Sequence, residues 1–336
     1  MAEFEDRTYP AADGSPLPVR AWRPDRPRLS GVRGKGAPLA ACSQCASPPA
    51  LADKPPVAPA DGESSSTLDT QARPEAEQGG AAPPVVVYLH GIQSHSGWYE
   101  ASSRCLAAAG IAVYQVERRG SGRDTAHPRG HVDAAETWVR DVHAAAEFAR
   151  RESAAAQVHL MGVSWGGKLA LVAAADRPPL YRSVILAAPG IIPKIEPPPA
   201  VKLRIALALA TGRPEKRFPI PLADPHLFTE NPERVRYIAA DPISLREVTA
   251  RFLHESRRLD RMARRAARNL RSPAFLALAE GDRIINNDAT LRLYWSLGVR
   301  RRTATYAGAH HTLEFEADPR PFFRDVVGWI VQEEQL

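Results

Sequence analysis

The stretch HLMGVSWGGKLAL, residues 159–171, decides how this chain folds. It opens as the apolar run of a buried strand and closes as a small-residue helix, with Ser164 at the junction. Gly162-Val163-Ser164-Trp165-Gly166 has the G-x-S-x-G spacing of a nucleophile elbow. A strand that turns this sharply into a helix crowds the positions two before and two after the serine, so Gly162 and Gly166 carry no side chain. The turn lifts Ser164 to the carboxyl end of the sheet and the N-terminus of a helix, where developing negative charge is favoured.

Outward from that corner, strands and helices alternate. Val85–Leu89 is an unbroken apolar run between proline and glycine, the pattern of a strand buried on both faces. A helix over Trp98–Ala109 follows, then the strand IAVYQVE (residues 111–117) and a helix over Ala134–Arg151 with Trp138, Val142, Ala145 and Phe148 on one face. The strand VHLMGVS, a helix over Gly167–Ala175 and the strand SVILAAP complete the run. This order predicts an α/β fold with a mostly parallel, doubly wound sheet. Phe4–Trp22 reads as an N-terminal hairpin around Asp13-Gly14.

The alternation stops over residues 191–271, where Leu245, Val248, Phe252, Leu259 and Met262 recur at helical spacing. This segment is expected to be a helical cap inserted before the next strand, PAFLALAEGD. A helix over Ala289–Leu297, the strand RTATYAG and an amphipathic helix over Pro319–Gln332 then close the chain. Residues 1–23, 84–190 and 272–336 are assigned to the core. Residues 24–83 are rich in Pro, Ala and Gly with few large apolar side chains, and are expected to be a disordered insertion.

The 336 residues carry 44 Lys and Arg against 38 Asp and Glu, a net charge of +6. The basic residues are dispersed and no nucleic-acid-binding signature accompanies them, so no nucleic-acid partner is expected. The start MAEFEDRTYP lacks the basic and apolar regions of a secretory leader, and no apolar run reaches the roughly 18–20 residues of a membrane span. With three cysteines, the cytoplasm is the expected compartment. Cys42-x-x-Cys45 has no second ligand pair, and Cys105 reads as a buried helix position, so no metal is expected. Gly120-Ser121-Gly122-Arg123 lacks the spacing and lysine of a phosphate loop, and no cofactor is implied.

A serine hydroxyl needs a base, and the base needs an orienting acid. On an elbow of this kind they follow in the order Ser, Asp or Glu, His. Asp282 ends the strand FLALA, and either His310 or His311 follows the next strand. Two backbone N–H groups must meet the developing oxyanion. Trp165, after the nucleophile, and Ile92, in the loop after Leu89, are the candidates.

The segments HGIQSHSGWYE, LMGVSWGGKLAL, AEGDRIIN and YAGAHHTLEFE resemble those of α/β-hydrolases in the monoacylglycerol lipase and lysophospholipase group, serine aminopeptidase S33-like. The cap segment YIAADPISLREVTARFL is similar to that group's lid, and the resemblance covers residues 1–23 and 84–334. It selects His311, which alone is followed by x-L-x-x-E, and implies a serine hydrolase acting on fatty acyl esters, of monoacylglycerol or lysophospholipid type, through an acyl-enzyme. An aminopeptidase or amidase on the same fold, or a non-catalytic binding protein, is the alternative. Three positions depart from the group: Val163, Trp165, which is positioned to narrow the acyl pocket, and Ala279, which brings in Glu280 as a second candidate acid. The arginine-rich segment Arg251–Arg271 reads as a solvated lid face or a contact for an anionic lipid surface.

Overall fold

The strand runs that read as continuous and apolar lie at the centre of one eight-stranded sheet. In the computed structural model, which describes residues 3–24 and 82–336, these are β3 (Val85–Leu89), β4 (Ala112–Val116), β5 (Val158–Val163), β6 (Tyr181–Ala187) and β9 (Ala274–Ala279), joined by the mixed run β10 (Arg301–Tyr306). All six are parallel to their neighbours among themselves. The hairpin β1 (Phe4–Pro10) and β2 (Pro16–Trp22) adds two strands, β2 running antiparallel to β4. The order is β1-β2-β4-β3-β5-β6-β9-β10. β10 is an edge strand, which is why its arginines and threonines are tolerated with partial exposure.

Strand order reverses at β3, which lies between β4 and β5. In an open sheet the crevice beyond the carboxyl ends at such a reversal is where a ligand is taken. The loop bearing Ile92 leaves β3 there, and Ser164 leaves β5 beside it.

Helix α1 (Glu100–Ala108) packs with α8 (Arg320–Glu334), and α2 (Ala135–Glu152) with α3 (Trp165–Asp176). The rings of Trp329 in α8 and Phe275 in β9 stack 5.9 Å apart, and Trp329 Nε1 donates to Ser183 Oγ at 2.9 Å. α3 begins at Trp165 rather than Gly167, because the backbone enters the helix directly from Ser164. The segment expected to be helical from Trp98 starts as a 3-10 turn over Ser96–Tyr99, in which Gly97 N donates to the His95 ring. α7 (Asn287–Trp295) starts early because the Asn286 side chain caps Ala289 N. Cys105 in α1 is buried, as its place on the helix suggests.

The cap between β6 and β9 holds α4 (Pro199–Ala210), α5 (Pro232–Ala240), α6 (Ala250–Ala266) and a short antiparallel pair, β7 (Arg217–Pro219) with β8 (Glu247–Thr249). It is thus not wholly helical. The arginine-rich helix α6 packs on α3, α2 and α4, with Arg257, Arg261, Arg264 and Arg265 exposed. Its apolar stripe supplies Phe252, whose ring meets those of Trp138 and Trp165, while Glu255 accepts from Ala135 N at 3.0 Å and Arg258 pairs with Glu136. It ends at Ala266, short of Arg271. All but the ends of the expected insertion over 24–83, and Cys42-x-x-Cys45 with it, lie outside the described residues.

Candidate active site

The elbow has the strain its sequence implies. Ser164 sits at φ +52°, ψ −119°, a region L-residues rarely occupy and one that costs on the order of 1–3 kcal/mol. Three backbone hydrogen bonds hold it: Ser164 N to Ala187 O at 2.9 Å, and Gly167 N and Gly190 N to Ser164 O at 2.9 and 2.7 Å. A Cβ at position 162 would lie 2.4 Å from Gly166 O, and one at 166 would lie 2.5 Å from Leu89 O. Both glycines are required by backbone that cannot move aside.

His311 stands in the loop after β10 with Nε2 2.8 Å from Ser164 Oγ and Nδ1 2.7 Å from Asp282 Oδ2. All three side chains are buried. Asp282 Oδ1 accepts from Ile284 N at 2.7 Å and Ile285 N at 3.0 Å. Burial pushes the Asp282 carboxyl up, but the charge and hydrogen bond of His311 and the two amides outweigh it, so its pKa lies below the usual carboxylate value. The edge of Phe228 packs 6.0 Å from the His311 ring. Glu280, the second candidate acid, instead accepts from Gly308 N at 2.8 Å, and His310 bonds Glu316. Neither reaches Ser164.

Ile92 and Trp165 both line the cavity onto which Ser164 opens. Behind the Ile92 loop lies Arg118, a buried residue whose part the sequence does not announce. Its guanidinium donates to Gly91 O at 3.0 Å and Ile92 O at 2.8 Å, and its Cζ lies 4.6 Å from the centre of the Trp165 ring. Burial pulls its pKa down to about 9, against the charge of Glu117. His90 Nε2 accepts from Arg118 N at 3.0 Å, so the ring proton is on Nδ1 and donates to Gly91 O at 2.8 Å. Burial, with the Arg118 charge, pushes the His90 imidazole down to about 3, which keeps it neutral. Gly91 C=O and Ile92 N–H belong to one trans peptide and point in opposite directions. Donors to the Gly91 carbonyl therefore fix the Ile92 N–H on the opposite side of that peptide.

The same loop is tied to the cap. His95 Nε2 and Trp98 Nε1 meet Asp241 Oδ2 at 3.1 and 2.7 Å, and Leu245 N donates to Gln93 O at 2.9 Å. The cavity between elbow and cap has a volume of about 390 Å³, with Ile195, Ile205, Leu209, Ile220, Leu222 and Leu253 on its walls. Trp165 lines it but is largely covered: its ring meets Trp138 edge-on at 4.8 Å, and Nε1 donates to Ser256 Oγ at 2.9 Å. Among the described residues, no group of three or more His, Cys, Asp or Glu is arranged to hold a metal.

Sheet order, strained elbow and the Ser164–His311–Asp282 chain define the class as an α/β-hydrolase. Residues 80–318 match the model of the serine aminopeptidase, S33 family, and the chain belongs to that family. It is 24% identical over 249 residues to a monoacylglycerol lipase of Mycolicibacterium smegmatis, covering 74% of this chain and 88% of that one. It is 25% identical over 257 residues to the Homo sapiens monoglyceride lipase, covering 74% and 83%. The solved Paleococcus ferrophilus monoacylglycerol lipase superposes with a TM-score of 0.66 at 26% identity, covering 75% of this chain and 96% of that one.

Proposed function

We propose that this protein is a serine hydrolase that cleaves carboxylic esters of fatty acyl chains, of monoacylglycerol or lysophospholipid type, through an acyl-enzyme. The observation that carries the reading is the unbroken chain of short contacts from Asp282 through His311 to Ser164, opening on an apolar cavity. Ser164 Oγ attacks the ester carbonyl while His311 Nε2 takes its proton. The Ile92 and Trp165 amides receive the negative charge on the carbonyl oxygen. His311 then protonates the leaving alcohol, Asp282 steadying the imidazolium, and water repeats the sequence on the acyl-enzyme. Arg118 acts as a positioning residue for the Ile92 amide.

The cavity lies on the Trp165 side of Ser164, and His311 is not on its wall. The alcohol must leave beside His311, which protonates it, so the acyl chain occupies the cavity. The relatives named monoacylglycerol and monoglyceride lipases support the acyl ester as substrate. On α4, Leu203 and Leu207 are 70% and 59% exposed, away from the cavity-lining Ile205 and Leu209. That apolar face suits shallow contact with a lipid surface. Among the described residues, no helix is long and apolar enough to cross a membrane.

Ser164→Ala tests the proposal. Turnover of a p-nitrophenyl acyl ester should fall by roughly four orders of magnitude or more, and unchanged turnover refutes it. Comparing monoacylglycerol, lysophospholipid and prolyl-anilide hydrolysis separates ester from peptide specificity.

A further inference from the structure

The cavity wall is not wholly apolar: Glu196 stands on it paired with Lys202 and Arg257, and a separate, more deeply buried polar cluster centres on Lys168. Lys168 is the only charged residue of α3 before Asp176, and it is 4% exposed on a helix otherwise built of Gly, Ala, Leu and Val behind Trp165. Its ammonium donates to Asp260 Oδ1 at 2.5 Å and to Ser256 Oγ at 3.0 Å, both on α6. Ser256 Oγ also accepts from Trp165 Nε1. Lys168, Ser256 and Asp260 line the same cavity as Ser164.

Packing alone does not call for this cluster. A buried ion pair is replaced by apolar side chains of similar volume at little or no loss of stability. Burial pulls the Lys168 ammonium below its ordinary pKa despite Asp260. The donor and acceptor inventory then says what the cluster offers. Lys168 directs its protons to Asp260 and Ser256, so it has little left for a ligand. Ser256 Oγ already accepts two hydrogen bonds, from Lys168 and Trp165. Asp260 Oδ2 is different: among the described residues no group donates to it, and the Asp260 side chain keeps 19% exposure. An alkyl chain pressed against it strips its water and returns nothing, whereas a hydroxyl donates to it. A carboxylate has no proton to donate to Asp260 Oδ2, and an ammonium there meets the positive charges of Lys168 and Arg257.

We infer that the acyl chain this cavity selects carries a hydroxyl, or another neutral hydrogen-bond donor, which binds Asp260 Oδ2. The inference rests on the hydrolase reading above and on the acyl chain filling the cavity. The test uses the full-length enzyme and p-nitrophenyl esters of graded chain length, each with and without a terminal hydroxyl. At the length where the hydroxyl reaches Asp260, kcat/KM for the hydroxy ester should exceed that of the plain ester roughly tenfold. Asp260→Leu should bring the ratio to about one or below, while Asp260→Asn, which keeps an acceptor and the shape, should retain part of the preference. Plain esters preferred or equal at every length overturn the inference, as does an undiminished ratio in a folded Asp260→Leu enzyme. Ser164→Ala run in parallel separates the two claims: full turnover there sinks the hydrolase reading, whereas a dead Ser164→Ala with a flat wild-type ratio sinks only the hydroxyl reading.

Discussion

Replacing Asp282 by asparagine tests the hydrogen-bond chain at its most constrained point. Asp282 Oδ1 accepts two backbone amides, from Ile284 and Ile285, at 2.7 and 3.0 Å. In the Asp282→Asn protein those amides demand the carbonyl oxygen, because the flipped orientation sets an NH2 against two N–H groups at a cost of about 2–3 kcal/mol. The amide nitrogen is thereby forced into the Oδ2 position, 2.7 Å from His311 Nδ1 in the native site. It donates to that nitrogen and drives the ring proton onto Nε2, the atom that must accept the Ser164 proton. The hydroxyl then faces a donor instead of a base. Such a tautomer error lowers kcat by about 10⁴, or about 5 kcal/mol at 1.36 kcal/mol per tenfold. The assay is steady-state hydrolysis of p-nitrophenyl butyrate, with thermal unfolding to confirm that the variant is folded. Glu280→Gln, at a carboxylate that accepts from Gly308 N, should stay within about threefold of wild type. A folded Asp282→Asn enzyme losing less than tenfold in kcat refutes the reasoning.

Arg118→Met removes both carbonyl contacts behind Ile92 and should lower kcat about 10- to 100-fold with KM changed by less than about threefold, since the amide is misaimed rather than deleted; a loss confined to KM contradicts the positioning role. Gly166→Ala sets a Cβ 2.5 and 2.6 Å from Leu89 O and His90 O, so scanning calorimetry should show a Tm lowered by roughly 5–10 °C, and an unshifted Tm counts against the elbow's close contact. Glu314 is buried against Ser102, and that burial pushes its carboxyl up to about 7 from 4.5. The folded state keeps this proton while the unfolded chain releases it, so the stability is full below pH 4.5 and is lost as pH rises to 7, by about 3 kcal/mol. Urea unfolding of wild type and Glu314→Gln at pH 5 and pH 8 should show that decline in the wild type alone.

What the sequence made legible, and what it hid, divides along one physical line. Val85–Leu89 is readable to the residue because burial on both faces requires an unbroken apolar run, and its neighbours on either side cannot provide one. The elbow is readable because Gly162 and Gly166, two before and two after the serine, report a backbone contact directly. The helical period of α6 is equally plain, but periodicity says that a face is buried and not what it meets. Hence the contacts of that face with Trp138 and Trp165 are not readable from it. β7 and β8, three residues each, are too short to show any alternation.

Arg118 and Lys168 lie at the far side of that line. Arg118 reaches carbonyls 26 and 27 residues away, and Lys168 reaches Asp260 across 92 residues. Their partners are supplied by tertiary structure alone. A basic residue at the carboxyl end of β4, on the same edge of the sheet as the nucleophile, was the one available hint for Arg118. The two adjacent histidines are separated in space by a contact the sequence does display as spacing: Glu316 accepts from His310 N at 2.7 Å, which fixes the loop with His311 turned to Ser164.

The acyl-enzyme mechanism requires Ser164 to become acylated. Rapid acid quench of the enzyme during turnover of a p-nitrophenyl fatty acyl ester, followed by peptide mapping by mass spectrometry, measures this directly. The acyl mass should appear on the peptide containing Ser164 in the wild type and be lost from it in Ser164→Ala. Rapid turnover with no acyl group on that peptide, or with the group on another residue, contradicts the account.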